Sequence, residues 1–308
     1  MKRLVFGVVG NPVEHSRSPA MHMAAYAALG LPHVYERIPT KPEDLPGIVQ
    51  LLGEGNLEGV NVTAPYKRKV LEYVDMLDST AEAVGAANTL ARRPDGQIIA
   101  HNTDMAALAD ELRRLAPKMR LTDGWMQART LVLGTGATAR SAIVALACEL
   151  AVAQIVVRGR AFQDECARDR FHAEVLELLS AAKAMTTLRL EHWRGSPATE
   201  RTVTAVVQAT SAGMQGSDPG EGVVAAVEWS ALPPSAVALD VVYAPPVTPF
   251  LEAAGIHHIP ASNGLGILAR QGALAFELWL GTPAPFDAML AALGTPALSA
   301  PPPASEGV

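Results

Sequence analysis

The sequence predicts an α/β protein with two domains, on the basis of three observations. The chain has 308 residues, 49% of them hydrophobic and only 18% charged, which is enough to bury more than one core. Short apolar runs alternate with helix-like segments, a βαβα rhythm typical of a parallel sheet covered by helices. In the second half, a glycine-rich segment separates an apolar run from an alanine-rich one, which is typical of a Rossmann domain.

The composition excludes several classes of function. A formal net charge of −6 at pH 7 argues against nucleic acid as a main partner. The two cysteines, Cys148 and Cys166, have neither metal-ligand spacing nor a disulfide framework, so we expect no metal site. No apolar run approaches the ~18 residues of a membrane span, and no secretion signal opens the chain. We therefore expect a cytoplasmic protein that binds neither nucleic acid nor membranes.

The first apolar run, residues 4–9, predicts a buried strand, and a helix is predicted from Pro19 to Gly30. Ser18 is expected to cap this helix, since serine favours the N-cap and proline the first turn. Ser16 and Ser18 also lie at a strand–turn–helix junction, where free N–H groups and the helix dipole favour an anion such as a carboxylate. A simple capping role is the alternative.

The stretch Gly59–Lys67 is the most informative of the first half. It follows a second strand predicted at 34–38 and a helix at 42–53. Val60 and Val62 alternate with Asn61 and Thr63 as in a strand, which Pro65 should end. Lys67 then opens a predicted helix that runs to residue 74. A lysine in this position can transfer protons if its pKa is lowered, whereas the alternative is a basic helix start in water.

A second polar group follows the apolar run 98–100. Asp104 is placed to hold the ammonium group of Lys67, and the two side chains together predict an acid/base site. Asn88 comes just before a predicted strand that pairs with residues 98–100 across a turn at 94–96. Its alternatives are a ligand contact near Asp104 and an ordinary turn-forming role.

The second half begins after a linker at 117–127. A strand at 130–133 leads into Gly134, Gly136 and Ala139, spaced as in the dinucleotide-binding fingerprint, and a helix to residue 150 follows. The next strand, 154–157, is followed by Arg158 and Arg160, and an arginine there favours NADP over NAD. A solvated basic turn is the alternative for these arginines.

The remaining elements continue the alternation. Strands are predicted at 188–190, 203–207 and 236–242, and helices at 164–182, 248–254 and 267–280, with a short helix ending at Leu293. The loop at 208–214 is suited to line a cofactor cleft. The tail from Thr295 is rich in Pro, Ala and Ser and is predicted to be disordered.

Six segments, taken in order, resemble the motif series of the shikimate dehydrogenase family. They are Gly10–Pro19, Asn61–Lys67, Gly85–Thr89, Asn102–Asp104, Ala209–Met214 and Gln271–Trp279. The resemblance runs from about Leu4 to Gly281. It implies an N-terminal α/β substrate-binding domain at 1–105, to which C-terminal helices at 267–294 return. It also implies a C-terminal Rossmann NAD(P)-binding domain at 106–266, with the active site in the cleft between the two.

The resemblance further implies NADP-dependent, reversible reduction of 3-dehydroshikimate to shikimate, a step toward chorismate and the aromatic amino acids. Lys67 and Asp104 would be the catalytic proton-transfer pair. The implied substrate contacts are Ser16, Ser18, Asn61, Thr63, Asn88, Tyr243 and Gln271. The implied cofactor contacts are Gly134, Gly136, Ala137, Ala139, Arg158, Arg160, Thr210 and Gly264.

Two alternatives stay open at this point. Differences from the family pattern at Met105, Ala107 and Val157 allow a quinate or aminoshikimate dehydrogenase, possibly one that uses NAD. A non-catalytic metabolite sensor on the same fold is more distant, since it would not need Lys67 and Asp104. The sequence leaves a monomer and a homodimer equally open.

Overall fold

The computed structural model describes residues 2–120, 123–194 and 197–294, and this part of the chain forms two six-stranded sheets covered by helices. The predicted tail from residue 295 lies outside the described residues. The strands are β1 (Val5–Gly10), β2 (Val34–Pro39), β3 (Gly59–Val62), β4 (Met76–Leu77), β5 (Thr89–Arg92), β6 (Ile98–His101), β7 (Arg129–Leu133), β8 (Gln154–Arg158), β9 (Thr187–Glu191), β10 (Val203–Gln208), β11 (Val237–Asp240) and β12 (Ala261–Ser262). The helices are α1 (Ser18–Ala28), α2 (Leu45–Gly53), α3 (Ser79–Val84), α4 (Thr103–Leu115), α5 (Ala137–Cys148), α6 (Glu165–Ala181), α7 (Pro197–Glu200), α8 (Glu221–Val224), α9 (Pro249–Ile256), α10 (Leu265–Leu280) and α11 (Phe286–Ala292).

The first sheet is mixed rather than wholly parallel, with the strand order β2-β1-β3-β5-β6-β4. Strand β1 pairs in parallel with β2 and β3, as the βαβα rhythm predicts. The β5–β6 hairpin, also predicted, adds two antiparallel strands next to β3. The helix predicted after Lys67 is wrong in type: the segment Lys69–Tyr73 forms a 3₁₀ helix.

Helices cover both faces of the first sheet. Leu45, Val49 and Leu52 of α2 are buried on one face, and α1, α10 and α11 pack on the other. The last long helix therefore returns to the first sheet, as expected. Its Trp279 fits against Gly59, where a Cβ atom would lie 2.3 Å from the indole nitrogen, so β3 tolerates only glycine at this contact.

The second sheet is a Rossmann sheet. Its order is β12-β11-β10-β7-β8-β9, with every neighbouring pair parallel. The chain starts at β7 in the middle of the sheet and adds β8 and β9 on one side. It then crosses to the other side of β7 and adds β10, β11 and β12, so the strand order reverses between β7 and β10. Helices α4, α5 and α6 share one core cluster on this sheet, while α8 and α9 contribute to the other.

Two helices connect the sheets, and one of them was not predicted from the sequence. Helix α4 begins beside the first sheet, and its Leu108 and Leu112 enter the core of the second. Helix α4 packs along α10, which is the second helix that connects the two sheets. The predicted domain boundary at residue 105 therefore falls within the first turn of a helix shared by both domains. Within the described ranges, no helix is long and apolar enough to cross a bilayer.

Candidate active site

Lys67 and Asp104 form an ion pair at one end of the first sheet, with 2.7 Å between Nζ and Oδ2. Lys67 follows β3 after a turn, and its carbonyl oxygen accepts a hydrogen bond from Ala87 N at 2.7 Å. Asp104 lies in the first turn of α4, whose N-cap Asn102 accepts a bond from Asp104 N through its side chain. The side chains are 38% and 27% exposed, so the pair remains accessible to a ligand.

Asn88 is buried behind this pair and joins several elements. Its Nδ2 donates to Asp104 Oδ1 at 2.9 Å and, more weakly, to Gln271 Oε1 at 3.4 Å. Its Oδ1 accepts a bond from Thr103 N at 2.8 Å. The structure thus brings Lys67, Asn88, Asp104 and Gln271 together, although Gln271 is far from the other three in the chain.

Asn61 is also buried, with its amide engaged by the protein at both ends. Oδ1 accepts from the Tyr35 hydroxyl at 2.7 Å, and Nδ2 donates to Asn88 O and Thr89 Oγ1 at 3.1 and 3.0 Å. A direct contact with substrate would have to use the second lone pair of Oδ1. Thr63 follows β3, where its N–H donates to Val9 O, and its methyl group lies against Gly10.

Ser16 and Ser18 lie together before α1, but Ser18 does not cap that helix. The N-cap position is Arg17, which makes no capping bond with its side chain, and Ser18 is already the first helical residue. Ser16 Oγ accepts a bond from Ser18 N at 3.3 Å, while Arg37 donates to the carbonyl oxygen of Ser16. The capping prediction is therefore wrong in its residue.

The other two expected substrate contacts come from the second half of the chain. Tyr243 follows β11 and packs against the cluster formed by α1 and α10. Gln271 lies on α10, is largely buried, and donates through Nε2 to Leu268 O at 2.9 Å. Its Oε1 faces Asn88, so α10 supplies an amide to the end of the first sheet that carries Lys67 and Asp104.

The glycine-rich loop between β7 and α5 has the form that a dinucleotide needs. Gly134 has a φ of +118°, and a Cβ there would lie 2.8 Å from Thr210 Cγ2. Gly136 is the N-cap of α5 without a side-chain capping bond, and nothing lies within 4 Å of an added Cβ. Ala137 begins the helix, and Ala139 is buried against the sheet. Free space in front of a helix N-terminus, at the point where the strand order reverses, fits a pyrophosphate.

Arg158 is not placed to bind the cofactor, which corrects the expectation for this residue. Its side chain is fully buried, bonded to Glu191 at 2.7 Å, to Glu200, and to the carbonyl oxygen of Ala226 at 2.8 Å. Burial opposes the charge of Arg158, but the two glutamates raise its pKa above the usual value. The guanidinium therefore neutralises two buried carboxylates and cannot reach a 2′-phosphate.

Arg160 differs from Arg158 in being exposed. Its side chain is 58% accessible, pairs with Asp218 at 2.7 Å, and lies over the Trp193 ring at 5.5 Å. It is the arginine after β8 that remains available to an incoming anion.

Sequence reasoning did not identify Asp240, at the end of β11. The carboxylate is fully buried and accepts bonds from Thr248 Oγ1, Val242 N and Gln208 Nε2 at 2.5, 2.9 and 3.3 Å. Burial is the main influence and raises the pKa of Asp240 to about 6. Asp240 thereby links the two loops that follow β10 and β11. An acidic residue ending an otherwise apolar strand was the available signal.

The expected cofactor contact Thr210 lies in the loop after β10, whereas Gly264 lies between β12 and α10. Thr210 Oγ1 accepts from Ala212 N at 3.1 Å, and Thr210 N donates to Gln208 Oε1. A Cβ on Gly264 would lie 2.2 Å from Val241 O, so the backbone passes close to the end of β11 there. Across the described ranges, no group of three or more His, Cys, Asp or Glu side chains is arranged to hold a metal ion.

Comparisons with known proteins agree with this architecture. The family model of the shikimate dehydrogenase substrate-binding domain matches residues 8–90 of the sequence, and the family model of the shikimate 5′-dehydrogenase C-terminal domain matches residues 264–293. The chain is 35% identical over 293 residues to the shikimate dehydrogenase (NADP(+)) of Microcystis aeruginosa, covering 95% of this chain and 96% of that relative.

Solved structures of shikimate and quinate dehydrogenases are also similar to this chain. The shikimate 5-dehydrogenase of Thermus thermophilus, in complex with NADP(H) and shikimate, is 31% identical with a TM-score of 0.73, covering 94% of this chain and 98% of that one. Quinate dehydrogenase from Corynebacterium glutamicum, in complex with NAD, is 26% identical with a TM-score of 0.80, covering 95% of this chain and 99% of that one.

Proposed function

This chain belongs to the shikimate dehydrogenase family, and on that premise we propose that it catalyses the NADP-dependent, reversible reduction of 3-dehydroshikimate to shikimate. The observation that carries the proposal is the accessible Lys67–Asp104 pair, 2.7 Å apart, with Asn88 bonded to the far carboxylate oxygen. A ketone oxygen seated at Lys67 would meet a positive charge and a proton donor at once.

Lys67 and Asp104 have different roles in the proposed reaction. When bound, NADPH supplies the hydride. Lys67 stabilises the negative charge that develops on the ketone oxygen and donates a proton to it from Nζ. Asp104 holds Nζ in place through the ion pair. In the reverse direction the pair accepts the hydroxyl proton, and its partial exposure allows exchange of that proton with solvent.

Substrate and cofactor contacts form the second part of the proposal. Ser16 and Ser18 bind the substrate carboxylate, and Thr63, Tyr243 and Gln271 contact its ring hydroxyls. Asn88 contacts the substrate as well, and Asn61 does so through the remaining lone pair of Oδ1.

The cofactor is bound by a separate set of residues. The N–H groups at Gly136, Ala137 and Ala139 bind the pyrophosphate, and Thr210 and Gly264 line the nicotinamide side. Arg160 alone, in place of Arg158, binds the 2′-phosphate. The location proposed is the cytoplasm.

The test is an assay of reduced nicotinamide absorbance, with shikimate and quinate each offered NADP and NAD. Turnover of shikimate with NADP, abolished in Lys67→Ala, is the expected result. No turnover in any combination, despite measurable binding of cofactor, would refute the proposal and favour a sensor.

A second candidate is oxidation of quinate with NAD. Two observations favour it: the similarity to a quinate dehydrogenase solved with NAD, and the burial of Arg158, which leaves Arg160 as the exposed one of the two arginines predicted to bind a 2′-phosphate. The same assay separates the candidates, since turnover mainly of quinate with NAD would replace the first proposal.

A further inference from the structure

A chain of hydrogen bonds runs from Tyr35, in β2, to Asp104. The Tyr35 hydroxyl contacts Asn61 Oδ1 at 2.7 Å, and Asn61 Nδ2 contacts Thr89 Oγ1 at 3.0 Å. Thr89 Oγ1 contacts Asn88 Oδ1 at 3.2 Å, and Asn88 Nδ2 contacts Asp104 Oδ1 at 2.9 Å. The other oxygen of Asp104 accepts from the Lys67 ammonium.

Backbone groups fix the direction of this chain. Asn88 O can only accept, so the group of Asn61 that faces it must be the NH₂, and Oδ1 must face Tyr35. Thr103 N can only donate, so Asn88 turns Oδ1 toward it and NH₂ toward Asp104. The Tyr35 and Thr89 hydroxyls are then both donors. Every bond in the chain donates toward the carboxylate, and hydrogen bonds aligned in one direction strengthen one another.

The surroundings keep Tyr35 in place and protonated. Its ring stacks on His22 with centroids 4.2 Å apart and planes 2° from parallel. Burial lowers the pKa of His22 to about 3, so the stacked ring is neutral. Burial, helped by the neighbouring Tyr26, raises the pKa of Tyr35, so the hydroxyl remains a donor. Asn61, Thr89 and Asn88 are all buried, so water does not compete along the chain.

We propose that Tyr35 is a positioning residue for the reaction, acting through Asn61, Thr89 and Asn88 to fix the orientation of the Asp104 carboxylate toward Lys67. This inference rests on the proposed function. Without the Tyr35 hydroxyl, Asn61 Oδ1 loses its donor, although the bonds of Nδ2 to Asn88 O and Thr89 Oγ1 still hold the amide. The aligned bonds that follow are then weaker, including the one from Asn88 to Asp104, so the carboxylate is less firmly oriented toward Lys67.

The test compares Tyr35→Phe with Tyr26→Phe. Tyr26 lies in the same aromatic cluster, with ring centroids 6.2 Å from His22, but its buried hydroxyl has no partner among the described residues. Tyr35→Phe should lower kcat about 3- to 10-fold, the effect of one buried hydrogen bond, while the Kd for NADPH stays unchanged. Tyr26→Phe should leave both at wild-type values. A Tyr35→Phe enzyme with wild-type kcat would overturn the inference.

Thr89→Val tests a different link of the chain. It should lower kcat to a similar extent, and the double variant with Tyr35→Phe should lose much less than the product of the two effects, because both changes break one chain. Multiplying effects would mean that the two residues act independently and would overturn the inference, even if Tyr35→Phe alone lowered kcat.

If the wild-type protein does not turn over shikimate, the proposed function fails but the chain is still tested. The side-chain amide protons of Asn88, identified by their absence in Asn88→Asp, can be followed by NMR. A change in their chemical shift in Tyr35→Phe, and none in Tyr26→Phe, supports transmission to Asn88. Unchanged shifts in both variants would overturn it.

Discussion

Replacing Arg158 with methionine should destabilise the protein without removing a cofactor contact. The guanidinium is fully buried and neutralises Glu191 and Glu200, of which Glu200 is only 1% exposed. Methionine preserves most of the volume but leaves two carboxylates without their shared cation. Removing one partner of a buried ion pair costs about 3–5 kcal/mol, a large part of the ~5–15 kcal/mol that stabilises a typical domain.

Urea unfolding of Arg158→Met and Arg160→Met provides the comparison. The Arg160–Asp218 pair is largely exposed, so Arg160→Met should change the free energy of unfolding by less than about 1 kcal/mol. The affinity for NADP should show the opposite pattern. Arg160→Met should bind NADP more weakly than the wild type, whereas the folded fraction of Arg158→Met should bind it almost as well. Adding Glu200→Gln to Arg158→Met should restore part of the stability. An Arg158→Met protein of wild-type stability that no longer binds NADP would refute this reasoning.

Three further predictions concern the active site and the cofactor loops. Lys67→Ala should lower kcat by a factor of about 10²–10⁴, the usual contribution of a general acid–base group, and leave the affinity for NADPH unchanged. Equal losses in kcat and in NADPH affinity would contradict the catalytic role. Gly134→Ala should lose about 1–3 kcal/mol of stability, because φ is +118°; Gly136→Ala should keep its stability and lose cofactor affinity, because φ is −78° and the Cβ enters open space. Because the folded-state pKa of Asp240 is raised to about 6, the folded protein holds the extra proton, so the contribution of Asp240 to the free energy of unfolding should fall by about 3 kcal/mol as pH rises from about 4 to 6 and then stay level. Urea titrations at several pH values should show this component in the wild type and not in Asp240→Asn.

The sequence was sufficient where local pattern and tertiary structure agree. The glycine-rich loop, the strands around it and the β5–β6 hairpin depend on short-range signals, namely glycine positions, apolar runs and a turn at 94–96. The contact between Lys67 and Asp104 was also predicted. These residues follow β3 and β6, which lie on either side of β5 and end at the same edge of the first sheet.

The sequence was insufficient where a long-range partner decides a side chain's role. Arg158 has the position of a phosphate ligand, yet Glu191 lies directly opposite it on β9 and Glu200 comes from α7. Neither carboxylate was recognised as its partner from sequence, although Glu191 follows a predicted strand. Helix α4 was missed for a different reason, because its local signals were present and were not used: Asn102 caps its start, and Arg113 and Arg114 lie in its last turn. Only its packing on α5 and α10 depends on distant partners.

The candidate active site draws residues from the two connecting helices. Asp104 lies in the first turn of α4 and Gln271 on α10, and both helices also pack against the core of the second domain. Glu111, buried on α4, accepts bonds from Ser262 of β12 at 2.7 Å and from Arg114, and lies 3.4 Å from Arg270 of α10. Burial alone would raise the pKa of Glu111, but Arg114, Ser262 and Arg270 lower it, so the carboxylate is charged and links all three elements. The position of Asp104 relative to the cofactor loops is therefore set by this buried polar cluster as well as by the ion pair with Lys67.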